Sequence, residues 1–348
     1  MDFVNFPSYI TIEQYRENIE KYTSHVMGFS EVLGLFSMGG LSTPGLSDID
    51  LIVVVKNKIA SGDSLSPFDL DLDNRLFLHN VFIVHPLHVN EFNYILYATN
   101  VHPLYIANDI NMSFPTAEFL TKELKLIYLI ELGIMRLNQL CAISQRGKCN
   151  VRMFLTRVSS IIHSVDIAMD LEIDLPDSVV VFRNDIVSIR KRWAEQKGTL
   201  IENVEQIFER GIQSCCRILE ASAKRLNYMD SFIQLNQPFR SRCFGIHFSD
   251  NNQCYIKKDG KGRFLRPYFP QKIYHHYTGY MLKNNDKYHL EQKKRLNLVK
   301  RHRSFLKKNR FTYSMSGNLG FPLNKNEFIS FLFDEIRNFF TVTPLNFS

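Results

Sequence analysis

The chain has 348 residues, of which 45% are hydrophobic and 22% are charged, a composition that excludes disordered, collagen-like and low-complexity proteins. We find no apolar run of about 18 residues, and no basic stretch followed by an apolar core at the start, so we expect neither a membrane span nor a signal peptide. The six cysteines form no CxxC pair, which argues against zinc and disulfide frameworks and favours a cytoplasmic location.

The net charge of +7 is distributed unevenly along the chain. Residues 1–110 contain 5 basic and 13 acidic side chains, whereas residues 238–310 contain 19 basic and 4 acidic ones. A concentrated positive segment is typical of a surface that binds phosphates, but a solvated basic face has the same composition. The charge distribution leaves both interpretations open.

The first hundred residues alternate between helical and strand-like patterns. Residues 11–27 have the spacing of an amphipathic helix, and residues 31–37 form a short apolar run that ends in two glycines. Residues 49–55 and 81–84 are rich in β-branched side chains, as buried strands are. Helices and strands at this spacing predict a small mixed-sheet domain over residues 1–112.

The middle of the chain has helical periodicity throughout. Apolar residues recur at three- and four-residue spacing in four segments separated by glycine, proline and aspartate. These segments are residues 117–143, 150–172, 178–196 and 199–226. Four helices joined by short links predict an antiparallel bundle over residues 113–228.

The last third of the chain returns to mixed patterns. Two short runs on either side of an Asp-Gly turn predict a hairpin, and a basic helical stretch and a final helix follow. These elements cover residues 253–257, 263–269, 274–310 and 326–340. We therefore predict an α+β chain that ends in a basic α/β region over residues 229–348.

The segment from Leu35 to Val55 carries the strongest chemical signal in the sequence. A strand-like run ends in the small residues 37–40, where glycine lets backbone N–H groups approach an anion. Asp48 and Asp50 follow at a spacing of two, which places both carboxylates on one face of a strand. Paired carboxylates suit Mg²⁺, which takes its remaining ligands from water and substrate phosphates. The segment thus predicts a phosphate-binding turn beside a metal site, as phosphoryl and nucleotidyl transfer require.

This segment resembles the signature of the DNA polymerase beta-like nucleotidyltransferase superfamily, especially its minimal and antibiotic-modifying members. That signature is a Gly-Ser or Gly-Gly turn, a spacer, and Asp-hydrophobic-Asp at the start of a strand. Gly39-Gly40 match the small pair with a short spacer; alternatively Ser37 is the motif serine and Phe36 stands where glycine is usual. The resemblance implies two catalytic residues that bind Mg²⁺, with Mn²⁺ as an alternative, and four residues near the nucleotide. These are Asp48 and Asp50 for the metal, and Ser37, Gly39, Gly40 and Ser47 for the nucleotide.

The third carboxylate of the family has no clear counterpart in this sequence. The resemblance places it on a following strand, and the candidate stretch, residues 79–86, contains no Asp or Glu. Asn80 occupies the matching position, but an amide cannot act as a base. Other candidates for the third position lie on both sides of Asn80. If none of them serves, the protein would be a nucleotide-binding pseudoenzyme. These candidates are Asp69, Asp71 and Asp73 before the stretch, and His85 and His88 in and after it.

The resemblance implies a Mg²⁺-dependent enzyme that transfers a nucleoside monophosphate from an NTP to an acceptor hydroxyl and releases pyrophosphate. The acceptor is a small molecule, a sugar, a protein or an RNA end. The alternative is a catalytically impaired module of the same fold that binds nucleotide or RNA.

Basic side chains supply the candidate contacts to phosphate outside the motif. Residues 283–310 are a candidate RNA-binding region, because basic residues preceded by aromatic ones can bind single strands by charge and stacking. Four further cations lie early in predicted helices, where they would contact a triphosphate or remain ordinary solvated charges. These are Lys122, Lys125, Arg152 and Arg157.

Overall fold

The computed structural model describes residues 2–41, 43–59, 64–77, 79–98, 100–107, 110–115, 120–146, 148–193, 195, 197–226, 239–240, 244–248, 253–258, 282, 285–309, 311–313 and 320–321. Within these ranges the chain combines a small mixed sheet with several helices, as the predicted α+β class requires. The predicted helix at 326–340 and the predicted strand at 263–269 lie outside the described residues. No helix within the described ranges has the length and apolar character that a bilayer crossing requires.

The N-terminal part of the chain alternates strands and helices, as predicted. Its elements are β1 (Asp2–Val4), α1 (Ile12–Val26), β2 (Val32–Met38), β3 (Asp50–Val55), β4 (Phe82–Val84), α2 (Phe92–Ile95) and β5 (Val101–Ile106). Thr11 caps α1 through a reciprocal pair of hydrogen bonds with Gln14, which confirms the predicted start of this helix.

Four helices longer than ten residues and one shorter helix form the middle of the chain. They are α3 (Lys122–Arg146), α4 (Val151–Val158), α5 (Ser160–Asp170), α6 (Asp177–Arg192) and α7 (Lys197–Arg225). The predicted helix at 150–172 is divided at Ser159 into α4 and α5. Helix α3 packs along α7, and α5 contacts α3, α6 and α7 around a common apolar core. Strand β6 (Lys148–Asn150) pairs in parallel with β1 and so ties the helices to the N-terminal segment.

The C-terminal elements are mostly short. They are β7 (Phe239–Arg240), β8 (Phe244–Phe248), β9 (Cys254–Lys258), α8 (Asp286–Lys308), β10 (Thr312–Tyr313) and β11 (Gly320–Phe321). Strand β9 pairs antiparallel with β8, which precedes it, in a three-stranded sheet. The predicted basic helix at 274–310 is present from Asp286 to Lys308, and residues 274–281, 283, 284 and 310 of the prediction lie outside the described residues.

The main sheet has six strands in the order β10-β11-β4-β3-β2-β5. Strands β3 and β4 are parallel, and the other neighbours are antiparallel. Successive residues of β3 are buried on opposite faces: Leu51 and Val53 pack toward α1, and Ile52 and Val54 toward α2 and α8. Burial on both faces explains why this strand is an uninterrupted apolar run in the sequence.

Helix α8 packs onto the elements that precede the C-terminal region. It contacts α2 and α3, and its residue Leu298 belongs to the apolar core on one face of the main sheet. Arg295 of this helix is only 2% exposed and forms an ion pair with Glu131 of α3. The basic helix therefore serves partly as a structural element, with several of its polar side chains directed inward.

Candidate metal centre and cleft

The β2–β3 hairpin places the two motif aspartates at one end of the main sheet. Asp50 is the first residue of β3 and pairs with Met38, the last residue of β2. Ile49, between the aspartates, is buried and its backbone N–H donates to the carbonyl of Leu76 at 2.8 Å. With Ile49 turned into the core, Asp48 and Asp50 lie on the other side of the chain, as a spacing of two predicts.

Tyr15 of α1 positions the loop before β3, which we call the site loop and define as residues 43–49. Its hydroxyl donates to the carbonyl of Ser47 at 2.6 Å and accepts from the backbone N–H of Gly45 at 3.0 Å. Both loop groups are buried, so each would carry a desolvation cost without this partner. Tyr15 thereby fixes the loop on the N-terminal side of the molecule.

The helices of the middle part hold the same loop from the opposite side. The indole N–H of Trp193 donates to the carbonyl of Pro44 at 3.1 Å. A guanidinium N–H of Arg152 donates to the carbonyl of Ser47 at 3.3 Å, and the hydroxyl of Thr156 lies 3.4 Å from the carbonyl of Leu46. The position of Asp48 therefore depends on both parts of the chain.

Glycine is required at one position of the site loop. Gly45 has a φ of +85°, a conformation that side chains rarely adopt, and a Cβ there would lie 2.2 Å from the carbonyl oxygen of Ser8. Gly39, at the end of the hairpin, has a φ of +78° but open space around it, and Gly40 has open space as well. The turn at Gly39 and Gly40 thus leaves room above the carboxylates.

His79 completes the centre, and it is the functional candidate that the sequence reasoning missed. Its Nε2 lies 2.7 Å from Oδ1 of Asp50 and 3.8 Å from Oδ2 of Asp48. Among the described residues, these side chains form the one group of three or more His, Cys, Asp or Glu with ligand atoms within 4.8 Å of one another. Two carboxylate oxygens and an imidazole nitrogen are donors that a divalent metal ion accepts, so the side chains present fit such an ion.

The charges of the centre depend on one another. Burial and the neighbouring charge of Asp50 raise the pKa of Asp48 to about 6, although His79 opposes the shift. Burial lowers the pKa of His79, but its hydrogen bond to Asp50 and the charges of both aspartates outweigh burial and raise the pKa to about 9. Without a bound ion, protonated His79 therefore supplies the positive charge that the two carboxylates require.

The other candidates for the third position have different partners. Strands β3 and β4 are parallel, with Ile52 opposite Phe82, and the same register two residues earlier places Asn80 opposite Asp50. The amide of Asn80 nevertheless turns inward and donates to Oγ of Ser66 at 2.9 Å. The predicted acids and the two later histidines also lie elsewhere. Asp73 pairs with Arg75, Asp69 accepts from Ser64, Asp71 is exposed, His85 packs at a tilt against Phe305, and His88 packs against His302. A signal for His79 was present in its position directly before Asn80.

A cleft of about 410 Å³ adjoins the carboxylates and lies between the sheet and the helices. Gly39, Gly40, Ser47, Asp48 and Asp50 line one side of it. The helices line the opposite side with apolar residues, Glu131 and His163, and with hydroxyl and cationic side chains. The hydroxyl and cationic ones are Thr156, Ser159, Ser160, Arg136 and Arg190, with Arg295 of α8. Ser37 is not among the lining residues, since it lies within β2 and pairs with Leu51 and His102.

Two arginines give the helical wall of the cleft a positive charge. Arg136 donates through Nε to the hydroxyl of Ser160 at 2.5 Å, and Arg190 donates to the carbonyl of Leu155 at 3.1 Å. Burial lowers the pKa of Arg190, and the charge of Asp48 opposes this shift. The wall can therefore neutralise an anion that enters the cleft beside the carboxylates.

The four cations proposed from the sequence occupy different places. Arg152 holds the site loop, as described above, and does not line the cleft. Lys125 forms an ion pair with Asp170, and Lys122 is exposed. Arg157 is also absent from the lining of the cleft. The arginines that do line it, Arg136 and Arg190, were not singled out from the sequence.

Comparison with known proteins adds no independent assignment. The chain matches no protein-family model and no curated protein.

Proposed function

We propose that the protein is a metal-dependent nucleotidyltransferase, which transfers a nucleoside monophosphate from an NTP to an acceptor hydroxyl. The observation that carries this proposal is the pair of carboxylates, Asp48 and Asp50, at the mouth of a cleft with an open glycine turn on one side and arginines on the other. Each of these features has a use in phosphoryl chemistry, where charge stabilisation and positioning supply most of the catalysis.

Asp48, Asp50 and His79 would hold the divalent ion, for which the resemblance implies Mg²⁺. When bound, such an ion offsets the negative charge that develops on the reacting phosphate. Gly39 and Gly40 leave space for phosphate oxygens close to the backbone. Arg136 and Arg190 supply positive charge on the far wall, where the polyphosphate would need it.

The reaction we propose is an in-line displacement at the α-phosphorus of the NTP. The acceptor oxygen forms a bond to this phosphorus, the bond from the phosphorus to the bridging oxygen of the β-phosphate breaks, and pyrophosphate leaves with the bonding electrons. The hydroxyl proton is released to water. The chain's contribution is to orient the two reactants in one cleft and to exclude bulk water from part of it.

The direct test is pyrophosphate release by the purified protein. The protein is incubated with each labelled NTP, Mg²⁺ or Mn²⁺, and acceptors of four kinds: small molecules, sugars, RNA and protein. We expect release with at least one acceptor and its loss in Asp50→Asn, whereas Asp174→Asn, at an exposed aspartate outside the centre, retains it. Activity that survives in Asp50→Asn would place the reaction elsewhere.

A second candidate is a nucleotide- or RNA-binding module without turnover. It is favoured by the group beside Asp48 and Asp50, which among the described residues contains a histidine and no third carboxylate, and by an exposed basic face on α8 that includes Lys293, Lys300, Arg301 and Lys308. A protein of this kind binds NTP but releases no pyrophosphate with any acceptor. RNA binding by the basic face would weaken steeply with salt, because phosphate contacts release counterions.

A further inference from the structure

We propose that His79 is a metal ligand and that it makes the centre selective for a transition-metal ion, with Mn²⁺ preferred over Mg²⁺. This inference rests on the proposed function and goes beyond it. Nucleotidyl transfer requires only a divalent ion, whereas the side chain in the third position decides which ion binds.

The backbone fixes which ring nitrogen of His79 is available. Nδ1 lies 2.7 Å from the carbonyl oxygen of Asn80, and a carbonyl can only accept, so Nδ1 carries the hydrogen. In the ion-free centre Nε2 also carries a proton, which it donates to Asp50; when an ion displaces that proton, the lone pair is on Nε2, the nitrogen that faces Asp48 and Asp50. Histidines that bind metals usually donate their other N–H to a carbonyl or carboxylate in this way.

The distances place Nε2 among the carboxylate oxygens at the spacing of ligands on one ion. Ligand atoms in adjacent octahedral positions, each about 2.1 Å from the ion, lie about 3 Å apart. The distance from Nε2 of His79 to Oδ1 of Asp50 is 2.7 Å, slightly below this value, and the distance from Nε2 to Oδ2 of Asp48 is 3.8 Å, above it. One ligand atom from each of the three side chains lies within 4.8 Å of the other two.

The imidazole is also supported from behind. Its ring centroid is 4.6 Å from that of Phe82 in β4. The neighbouring Asn80 is buried, with its side chain donating to Ser66 and accepting from the backbone N–H of Val81 at 2.8 Å. The ring is therefore held in position without help from an ion, which lowers the entropic cost of binding one.

The donor set determines the selectivity. Mg²⁺ is a hard ion that binds oxygen and loses water reluctantly, whereas imidazole suits iron, nickel, copper and zinc; Mn²⁺, the weakest binder of that first-row series, still accepts a nitrogen ligand more readily than Mg²⁺ does. In the described residues no further carboxylate joins the group, so nitrogen makes up one third of the protein ligands. The centre should accordingly discriminate against Mg²⁺ more strongly than an all-carboxylate set would.

The test is a titration of the ion-free protein with Mn²⁺, with electron paramagnetic resonance as the readout. The titration is then repeated in the presence of Mg²⁺ as a competitor. Wild type is compared with His79→Asp and His79→Asn, which offer oxygen instead of nitrogen, and with His289→Asp at an exposed position of α8 as the matched control. Circular dichroism checks that each variant is folded. Spin-echo modulation on the wild-type Mn²⁺ complex reports a directly bound ring nitrogen without any variant.

We expect Mn²⁺ to bind wild type more tightly than Mg²⁺, with nitrogen modulation in the spectrum. We expect the ratio of the Mg²⁺ to the Mn²⁺ dissociation constant to fall by about tenfold or more in both His79 variants and to stay unchanged in His289→Asp. An unchanged ratio in the His79 variants, or a wild-type complex without nitrogen modulation, would overturn the inference and leave the proposed function standing. A wild type that binds neither ion would overturn both.

Discussion

At the scale of single residues, the metal centre brings together two carboxylates whose negative charges repel each other. The surrounding backbone holds them in place. Asp48 and Asp50 lie close to each other, and burial adds to their mutual repulsion. The site loop that positions Asp48 in turn depends on Gly45, whose conformation and surroundings leave no space for a side chain. Such unfavourable features are common where a site is built to bind an ion.

Replacing Asp48 with asparagine should stabilise the ion-free protein. Burial and Asp50 raise the pKa of Asp48 to about 6, so the charged form is less favourable in the folded than in the unfolded chain at pH 7. We expect the melting temperature of Asp48→Asn in EDTA to exceed that of wild type, while Mn²⁺ no longer raises it. A melting temperature in EDTA below that of wild type would show that the carboxylate is favourable without an ion.

Replacing Gly45 with alanine should destabilise the protein. Its φ of +85° and the 2.2 Å approach to the backbone of Ser8 predict a loss of about 2 kcal/mol or more in the free energy of unfolding. Urea denaturation of Gly45→Ala measures this loss. Gly40→Ala is the matched control, since open space surrounds Gly40, and it should change stability by less than about 0.5 kcal/mol. Equal free energies of unfolding for Gly45→Ala and Gly40→Ala would contradict the described conformation of the site loop at Gly45.

At the scale of elements, α8 is the basic segment of the sequence and also a packed helix. Its buried face includes Arg295, Leu298, His302 and Leu306. The pattern of charges in the sequence shows that this helix is basic, but it does not show which cations are buried. That distinction depends on Glu131, which lies more than 160 positions away along the chain.

The ion pair between Arg295 and Glu131 should be essential for docking of α8. Removing the guanidinium leaves the buried carboxylate of Glu131 without the positive charge of Arg295, and breaking a buried ion pair costs about 3–5 kcal/mol. We expect Arg295→Met to lose stability of this order in urea denaturation. Lys300→Met, which removes an exposed cation from the same helix, should have little effect. A similar result for both variants would mean that α8 does not dock through this pair.

His302 should make the stability depend on pH. Burial, together with the charges of His88 and His85, lowers its pKa to about 3, and Arg303 acts in the same direction. The unfolded chain, with a histidine pKa near 6.5, therefore binds more protons than the folded one between about pH 3 and 6.5. Stability should fall as the pH falls through this range, by about 2 kcal/mol at pH 5 from this residue alone.

The comparison of wild type with His302→Gln isolates this contribution. We expect a shallower dependence of the unfolding free energy on pH between 4 and 6.5 in His302→Gln, whatever its absolute stability. His289→Gln, at an exposed position of α8, should keep the wild-type slope. Burial also lowers the pKa values of His85 and His88, so part of the slope should remain in His302→Gln. Identical slopes in wild type and His302→Gln would contradict the buried, neutral state of this ring.

At the scale of the whole molecule, the cleft exists because the sheet, the helices of the middle part and α8 meet at the end of one hairpin. Local patterns in the sequence were sufficient to predict the strand-like runs at residues 31–37 and 49–55 and the placement of Asp48 and Asp50 on one face, because a spacing of two and an apolar run are short-range signals. His79 could not be identified in this way. It depends on the parallel register of β4 and on Asn80 turning inward to Ser66, and both are tertiary features.

The far wall of the cleft was beyond prediction for a similar reason. Arg136 and Arg190 lie in the middle and at the end of long helices, where the sequence shows only ordinary helical cations. Which of the many cations face Asp48 depends on how the helices pack against the site loop through Trp193 and Arg152. Contacts between residues far apart in the sequence therefore decide which cations line the cleft, and local sequence patterns do not contain this information.

The most direct test of the account is a crystal structure of the protein with Mn²⁺ and a non-hydrolysable NTP analogue. The account predicts an anomalous peak within coordination distance of the carboxylates of Asp48 and Asp50, with the phosphates between the glycine turn at Gly39 and the arginines of the helical wall. Density for neither ion nor phosphate in the cleft, with His79 still paired to Asp50, would contradict it.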